Sequence, residues 1–134
     1  METSTIKLSE ALQYFEKEIG ALYPENEFRS IRRIVFDKIA SIHPVDFHLK
    51  PNLEISAESF QKIQEVTDGL KEFRPIQYLL GSADFLGLKL KVAPGVLIPR
   101  PETEELADWI IKTHKFNENR ILDIGTGSGC LAIA

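Results

Sequence analysis

Cysteine is nearly missing. Cys130 is the single thiol in 134 residues, which excludes an intrachain disulfide and a multi-cysteine zinc site. There is no long uncharged apolar run of the kind a membrane-spanning helix needs. Glu2, Lys7 and Glu10 interrupt the opening residues, where a secretory signal would carry an apolar core. A basic excess is also lacking: residues 1–80 hold ten basic and thirteen acidic groups, residues 81–134 hold six and seven, and the net charge is −4. Binding driven by phosphate neutralisation is therefore disfavoured. His43, His48 and His114 lack companions at metal-ligand spacing, so no metal site is expected. The expectation from these absences is a cytoplasmic protein that contacts neither membrane nor nucleic acid. The remaining composition, 43% hydrophobic and 27% charged, is that of an ordinary globular chain.

Helical periodicity dominates the first 80 residues. Leu8, Leu12, Phe15, Ile19 and Leu22 recur at spacings of four and three, one stripe on one helix, with Pro24 as its stop. Phe28, Ile31, Val35, Ile39 and Ile42 form a second stripe, ended by His43-Pro44. Arg29, Arg32 and Arg33 fall off that stripe, as a solvated face or a partner-docking edge. Ser56 is placed to cap a third helix whose stripe is Phe60, Ile63, Thr67 and Leu70. Pro75 suits the first position of a short helix with Ile76, Leu79 and Leu80, and Gly81 its end. These helices amount to a small bundle.

At Gly81 the period changes to two. Leu88, Leu90 and Val92 alternate with Lys89 and Lys91, with Phe85 on the partner strand of a hairpin that turns at Gly87 and closes at Pro94-Gly95. An extended piece follows to Pro101, which opens a helix with Glu102, Glu104 and Glu105 at its positive end. Leu106, Trp109 and Ile110 are its expected buried face, and Trp109 a core anchor. A polar loop is expected over Lys115 to Asn119. Arg120 to Ile124 has the apolar content of a buried parallel strand, followed by Gly125-Thr126-Gly127-Ser128-Gly129 and a helix that starts at a buried Cys130.

The glycines let a backbone approach a ligand where side chains would collide. Their spacing is G-x-G-x-G. The dinucleotide fingerprint would need glycine or alanine at position 130, where Cys130 stands. An acidic residue two positions before the first glycine resembles instead the first motif of S-adenosylmethionine-dependent methyltransferases. On spacing alone an ordinary strand–turn–helix joint is the commoner reading of such a glycine pattern.

Residues 85–106, FLGLKLKVAPGVLIPRPETEEL, closely resemble the signature of the HemK/PrmC family, protein-(glutamine-N5) methyltransferases that act on peptide-chain release factors. In that family a helical N-terminal domain precedes a hairpin linker, an I-P-R-P-x-T-E segment and the first glycine motif. All four occur here in that order, and Ile76-Gln77-Tyr78-Leu79-Leu80-Gly81 matches the end of the helical domain. The resemblance implies that Asp123, Gly125, Thr126, Gly127, Ser128 and Gly129 hold the amino-acid portion of S-adenosylmethionine, with Asp123 near the ammonium. It also implies that Arg100 and Thr103 border the same pocket. The family's Asn-Pro-Pro-Tyr motif and its ribose-binding acid do not occur in this chain, so no catalytic residue is assigned.

The expected fold is a mainly α N-terminal helical bundle, residues 1–81, for docking release factors. A β-hairpin linker follows at 82–98, then the start of an α/β Rossmann-like methyltransferase domain at 99–134. On this reading the chain is a truncated, inactive front part of a methyltransferase, open to self-association after about residue 115. Three alternatives stay open: a protein-interaction helical module, a fragment of an NAD-dependent dehydrogenase, and a DNA adenine methyltransferase.

Overall fold

The apolar stripes of the first 80 residues need partners, and the structure, a computed structural model, shows how they find them. It describes residues 4–50, 52–114 and 120–134. The chain divides into two units, Met1–Leu80 and Gly81–Ala134. Overall it is mostly helical, with two separate two-stranded antiparallel sheets among the described residues.

In the first unit, β1 (Thr5–Lys7) leads directly into α1 (Leu8–Ile19), and β2 (Glu54–Ser56) into α4 (Ala57–Lys71). The two strands pair antiparallel with Ile6 opposite Ile55. The ribbon is extended by Leu8 N–H donating to Leu53 O at 2.7 Å and Ala57 N–H donating to Ser4 O at 2.9 Å. Each strand thus fixes the start of the helix that follows it. Between them lie α2 (Glu25–Ala40) and the single turn α3 (Asp46–Leu49), and α5 (Ile76–Leu80) closes the unit. α4 packs against α1, α2 and α5.

The core is aromatic. Phe15 is fully buried, stacked on Phe28 with ring centroids 5.9 Å apart and edge-on to Phe36 at 5.6 Å. Leu8, Ile19, Val35, Ile63 and Leu70 fill the space around them. Burying side chains of this size contributes about 1.5–3 kcal/mol each before the entropic cost of ordering them. Ser56 caps α4 as its residue type suggests: its Oγ accepts from Ser59 N–H at 3.1 Å. Thr67 is buried without penalty because its hydroxyl donates to Ile63 O at 2.7 Å. Lys71 ties α4 to α1 through Glu18 and also bonds Asp68. Those bonds, Glu18 foremost, hold its pKa above the ordinary lysine value.

Several sequence expectations need correction here. α1 ends at Ile19 with Gly20 as its cap, so Leu22 leaves the stripe and is exposed. Pro24 caps the start of α2 instead of stopping α1. α2 ends before His43-Pro44 because Ser41 turns left-handed, with φ +56. Ile42 is nevertheless buried just beyond the helix, and Phe36 is a core residue outside the expected stripe. α4 ends in a left-handed Phe73, φ +55, with Phe73 N–H donating to Leu70 O and Arg74 N–H to Gly69 O. Such a paired arrangement usually has glycine at that position.

In the second unit, β3 (Ser82–Phe85) pairs with β4 (Leu88–Lys91), Phe85 opposite Leu88. Leu86 and Gly87 form the two-residue turn with φ +48 and +76, the primed geometry that matches strand twist. α6 (Pro101–Thr113) starts at the expected proline, and α7 (Cys130–Ile133) starts at a buried Cys130. Phe85, Leu90, Ala107 and Cys130 make a small second core. Two expectations fail. The buried residue of α6 is Ala107, whereas Leu106 is exposed and Trp109 is 59% exposed. The small side chain of Ala107, not the large apolar ones, is what α6 contributes to that core. Arg120 to Ile124 is not a strand, and Leu122 and Ile124 are 82% and 86% exposed. Neither antiparallel pair includes this segment, so it has no ladder to join. The expected Lys115–Asn119 loop lies outside the described residues.

Hydrogen exchange checks this division of order. In a dilute monomeric sample, amides inside α1, α2 and α4 are expected to exchange slowly and those of 121–124 within the dead time. Strong protection at 121–124 that persists on dilution would contradict the exposure of this segment.

Candidate functional site

In the second unit the hairpin turn is tied to the start of α6. Leu86 N–H donates to Glu104 Oε1 at 2.6 Å. The strained turn is thereby tied to the first turn of α6, and the turn amide, which would otherwise lack a partner, is satisfied. Glu104 was not among the expected site residues. The signal was present, since it is the last residue of the Ile98-to-Glu104 segment, but only the fold shows what it reaches.

Arg100 is the N-cap of α6, exposed, between Pro99 and Pro101. Its carbonyl accepts from Thr103 N–H at 3.0 Å and Glu104 N–H at 3.2 Å. Pro101 has no N–H to leave unpaired in that first turn. Thr103 is half-buried.

The glycine loop has a backbone only glycine adopts readily. Gly125, Gly127 and Gly129 have φ of +73, +57 and +77. Gly129 N–H donates to Thr126 O at 2.8 Å, closing the loop just before Cys130. A Cβ built on Gly125 would meet nothing within 4 Å, and one on Gly127 only Gly125 O at 3.9 Å. The loop thus presents open backbone, while Ser128 is half-buried and Thr126 exposed. Asp123, two residues before Gly125, is half-buried, and its Oδ2 is sealed from solvent with no hydrogen-bond partner. A buried carboxylate oxygen without a donor is unfavourable and calls for a cation or an N–H.

Asp123 lines a cavity of about 560 Å³ with Ala107, Ile110 and Ile111 of α6 and Leu131 of α7. Among the described residues of the wall it is the one charged side chain, the others being apolar. Arg100 and Thr103, at the far end of α6, are not part of that wall. No group of three or more His, Cys, Asp or Glu among the described residues is arranged to hold a metal. No helix among them is long and apolar enough to cross a membrane.

Residues 10–81 match the family model described as the PrmC N-terminal domain. The chain belongs to the HemK/PrmC family. Curated relatives that the chain resembles bear the name release factor glutamine methyltransferase, three of them as follows. The one from Bacteroides thetaiotaomicron is 37% identical over 121 residues, 90% of this chain and 43% of the relative. That from Flavobacterium psychrophilum is 40% identical over 124 residues, 90% of this chain and 44% of the relative. That from Streptococcus pneumoniae is 36% identical over 130 residues, 96% of this chain and 46% of the relative. The chain spans less than half the length of these PrmC-family relatives. The family assignment made from the Pro-Arg-Pro segment and the glycine motif therefore holds.

Proposed function

We propose that this chain is the front part of an enzyme that methylates the side-chain amide nitrogen of the glutamine in the Gly-Gly-Gln loop of peptide-chain release factors. Residues 1–81 dock that protein, 82–98 link, and 99–134 begin a Rossmann-like methyltransferase domain. The observation that carries this is the orphaned Oδ2 of Asp123 directly ahead of Gly125 and Gly127, two left-handed glycines with open faces. The names of the relatives support it.

The cofactor is S-adenosylmethionine, which supplies an electrophilic methyl group on a sulfonium. Its ammonium offers the N–H donors that Asp123 Oδ2 lacks, and the pairing of cation with a desolvated carboxylate oxygen is a strong one. Gly125 and Gly127 let the polar end of that ligand lie against bare backbone, Gly129 supplies the left-handed residue that closes the loop, and Thr126 and Ser128 add hydroxyls at its edge. Arg100 and Thr103, at the start of α6, stand outside the Asp123 cavity and are assigned no contact with the head group. The donor set fits an amino-acid head group. These residues bind and orient; none of them abstracts a proton. Methyl transfer needs the acceptor nitrogen held in line with the methyl, and this chain has no Asn-Pro-Pro-Tyr segment to hold it. The 134 residues alone are accordingly expected to transfer no methyl group, and Ile121, Leu122 and Ile124, exposed as they are, to promote self-association at high concentration.

In the whole enzyme, deleting residues 1–74 should leave S-adenosylmethionine affinity within about threefold while raising KM for an intact release factor by about tenfold or more. Equal activity on the intact factor with and without the bundle would remove docking from the function of residues 1–81. Measurable methyl transfer by the 134-residue chain would overturn the assignment of the catalytic residues to another part of the enzyme.

A further inference from the structure

Arg32 of α2 is held in an unusual way. Its guanidinium carbon lies 5.5 Å from the centroid of the Phe28 ring and 5.4 Å from that of Phe47. Nε is sealed from solvent and has no hydrogen-bond partner. Arg29, one turn back, pairs with Glu25, but Arg32 has no acid beside it among the described residues. Two ring faces attract the cation and set the plane of the guanidinium. An arginine ordinarily loses much rotamer freedom when it engages a partner; here that freedom is already lost on folding. With Nε sealed, the end-on pair of Nη nitrogens is what remains, a geometry that matches the two oxygens of a carboxylate. Val45 and Leu49, which flank Phe47 in the chain, are both exposed. Arg32 itself is partly exposed, and an arginine held between two rings is a side chain of the type that anchors interfaces.

We propose that Arg32, clamped between Phe28 and Phe47, is a docking point for a carboxylate on the surface of the protein substrate. The inference rests on the methyltransferase reading and adds the contact by which the bundle would recognise that substrate. A protein carboxylate is favoured over a nucleic-acid phosphate on charge. A chain of net charge −4 repels a polyanion along its length, whereas one carboxylate meets the local cations Arg32 and Arg33.

The test uses the whole enzyme with Arg32→Lys, which keeps a cation over the rings but lacks the fork, and Arg32→Ala. Each is assayed on an intact release factor and on a short peptide carrying the same glutamine loop. Arg32→Lys is expected to raise KM for the intact factor about tenfold with kcat unchanged, and to leave both parameters for the peptide and the melting temperature unaltered. The rise should shrink at high salt. An unchanged KM for the intact factor in both variants would overturn the inference. So would equal KM increases for factor and peptide, which would mark a general disturbance of the enzyme. Loss of affinity for an RNA oligonucleotide with KM intact would assign the arginine to phosphate and overturn it too. A wild-type enzyme inert on factor and peptide alike would overturn the functional reading, and this inference with it.

Discussion

Gly127→Val in the whole enzyme should abolish detectable S-adenosylmethionine binding, a loss of at least about a hundredfold, or roughly 2.7 kcal/mol. Two effects act together. The backbone at Gly127 has φ +57, which a β-branched residue adopts only at a cost of about 1–2 kcal/mol. The added side chain would also stand in the open space over the loop, where a Cβ meets nothing closer than 3.9 Å. Gly127→Asn separates the two, because asparagine tolerates the left-handed backbone yet still fills the space. Calorimetry should show both variants failing to bind. If asparagine binds normally and valine does not, backbone strain explains the loss and Gly127 touches no ligand. Unchanged affinity in both would take Gly127 out of the site.

Gly69→Val should destabilise the helical unit by about 3 kcal/mol, the upper part of the range for overpacking a core. Helix propensity alone argues the opposite sign, since glycine is about 1 kcal/mol worse than alanine inside a helix. Packing decides. A Cβ at Gly69 would stand 2.3 Å from Leu79 Cδ2 and 3.0 Å from its Cδ1, so the Leu79 side chain must leave its place on α4, and the two further methyls of valine leave it less room to do so. Gly69→Ala gains from propensity and loses to the same contact, and should fall between. Urea titration of Gly69→Val, Leu79→Ala and the double variant gives the test. The double variant should recover about 1–2 kcal/mol relative to additivity. Strict additivity would mean that the clash is relieved elsewhere and that Gly69 is not there to admit Leu79.

The elements most legible in the sequence were those whose physics is local. Ser56 as a cap, Pro101 at a helix start, and Gly87 in a two-residue turn each depend on one residue's backbone or side-chain chemistry, whereas Pro75, expected at the first helical position, stands one residue before α5. The stripes on α1, α2 and α4 were legible because burial on one face repeats every three or four residues. What could not be read depended on a distant partner. The pairing of Thr5–Lys7 with Glu54–Ser56 involves three residues on each side, too few for alternation to show. Ser41 and Phe73 carry left-handed backbones that neither residue type advertises. Trp109 was misplaced because size and apolarity suggest burial, while Ala107 is the residue of α6 that the second core takes in. Apolar composition at 121–124 suggested a strand, but a strand requires a neighbour, and composition says nothing of where that neighbour lies. For the candidate site, the glycine spacing was visible in the sequence; the unpartnered oxygen of Asp123 and the bond from Leu86 to Glu104 were not.

The β1–β2 ribbon has a consequence for how the protein is made. Thr5 Oγ1 bonds Glu54 across 49 residues of chain. At translation speeds of about 5–20 residues per second, the first strand emerges from the ribosome some 2–10 s before its partner. During that interval α1 and α2 can form, since their hydrogen bonds are local, but the strand that fixes the start of α1 has nothing to pair with. α4, which packs against both helices, arrives later still. The bundle therefore cannot close on the nascent chain until its C-terminal helices leave the exit tunnel. A pause in synthesis upstream of residue 54 would prolong the exposure of Phe15, Phe28 and Phe36 to chaperones.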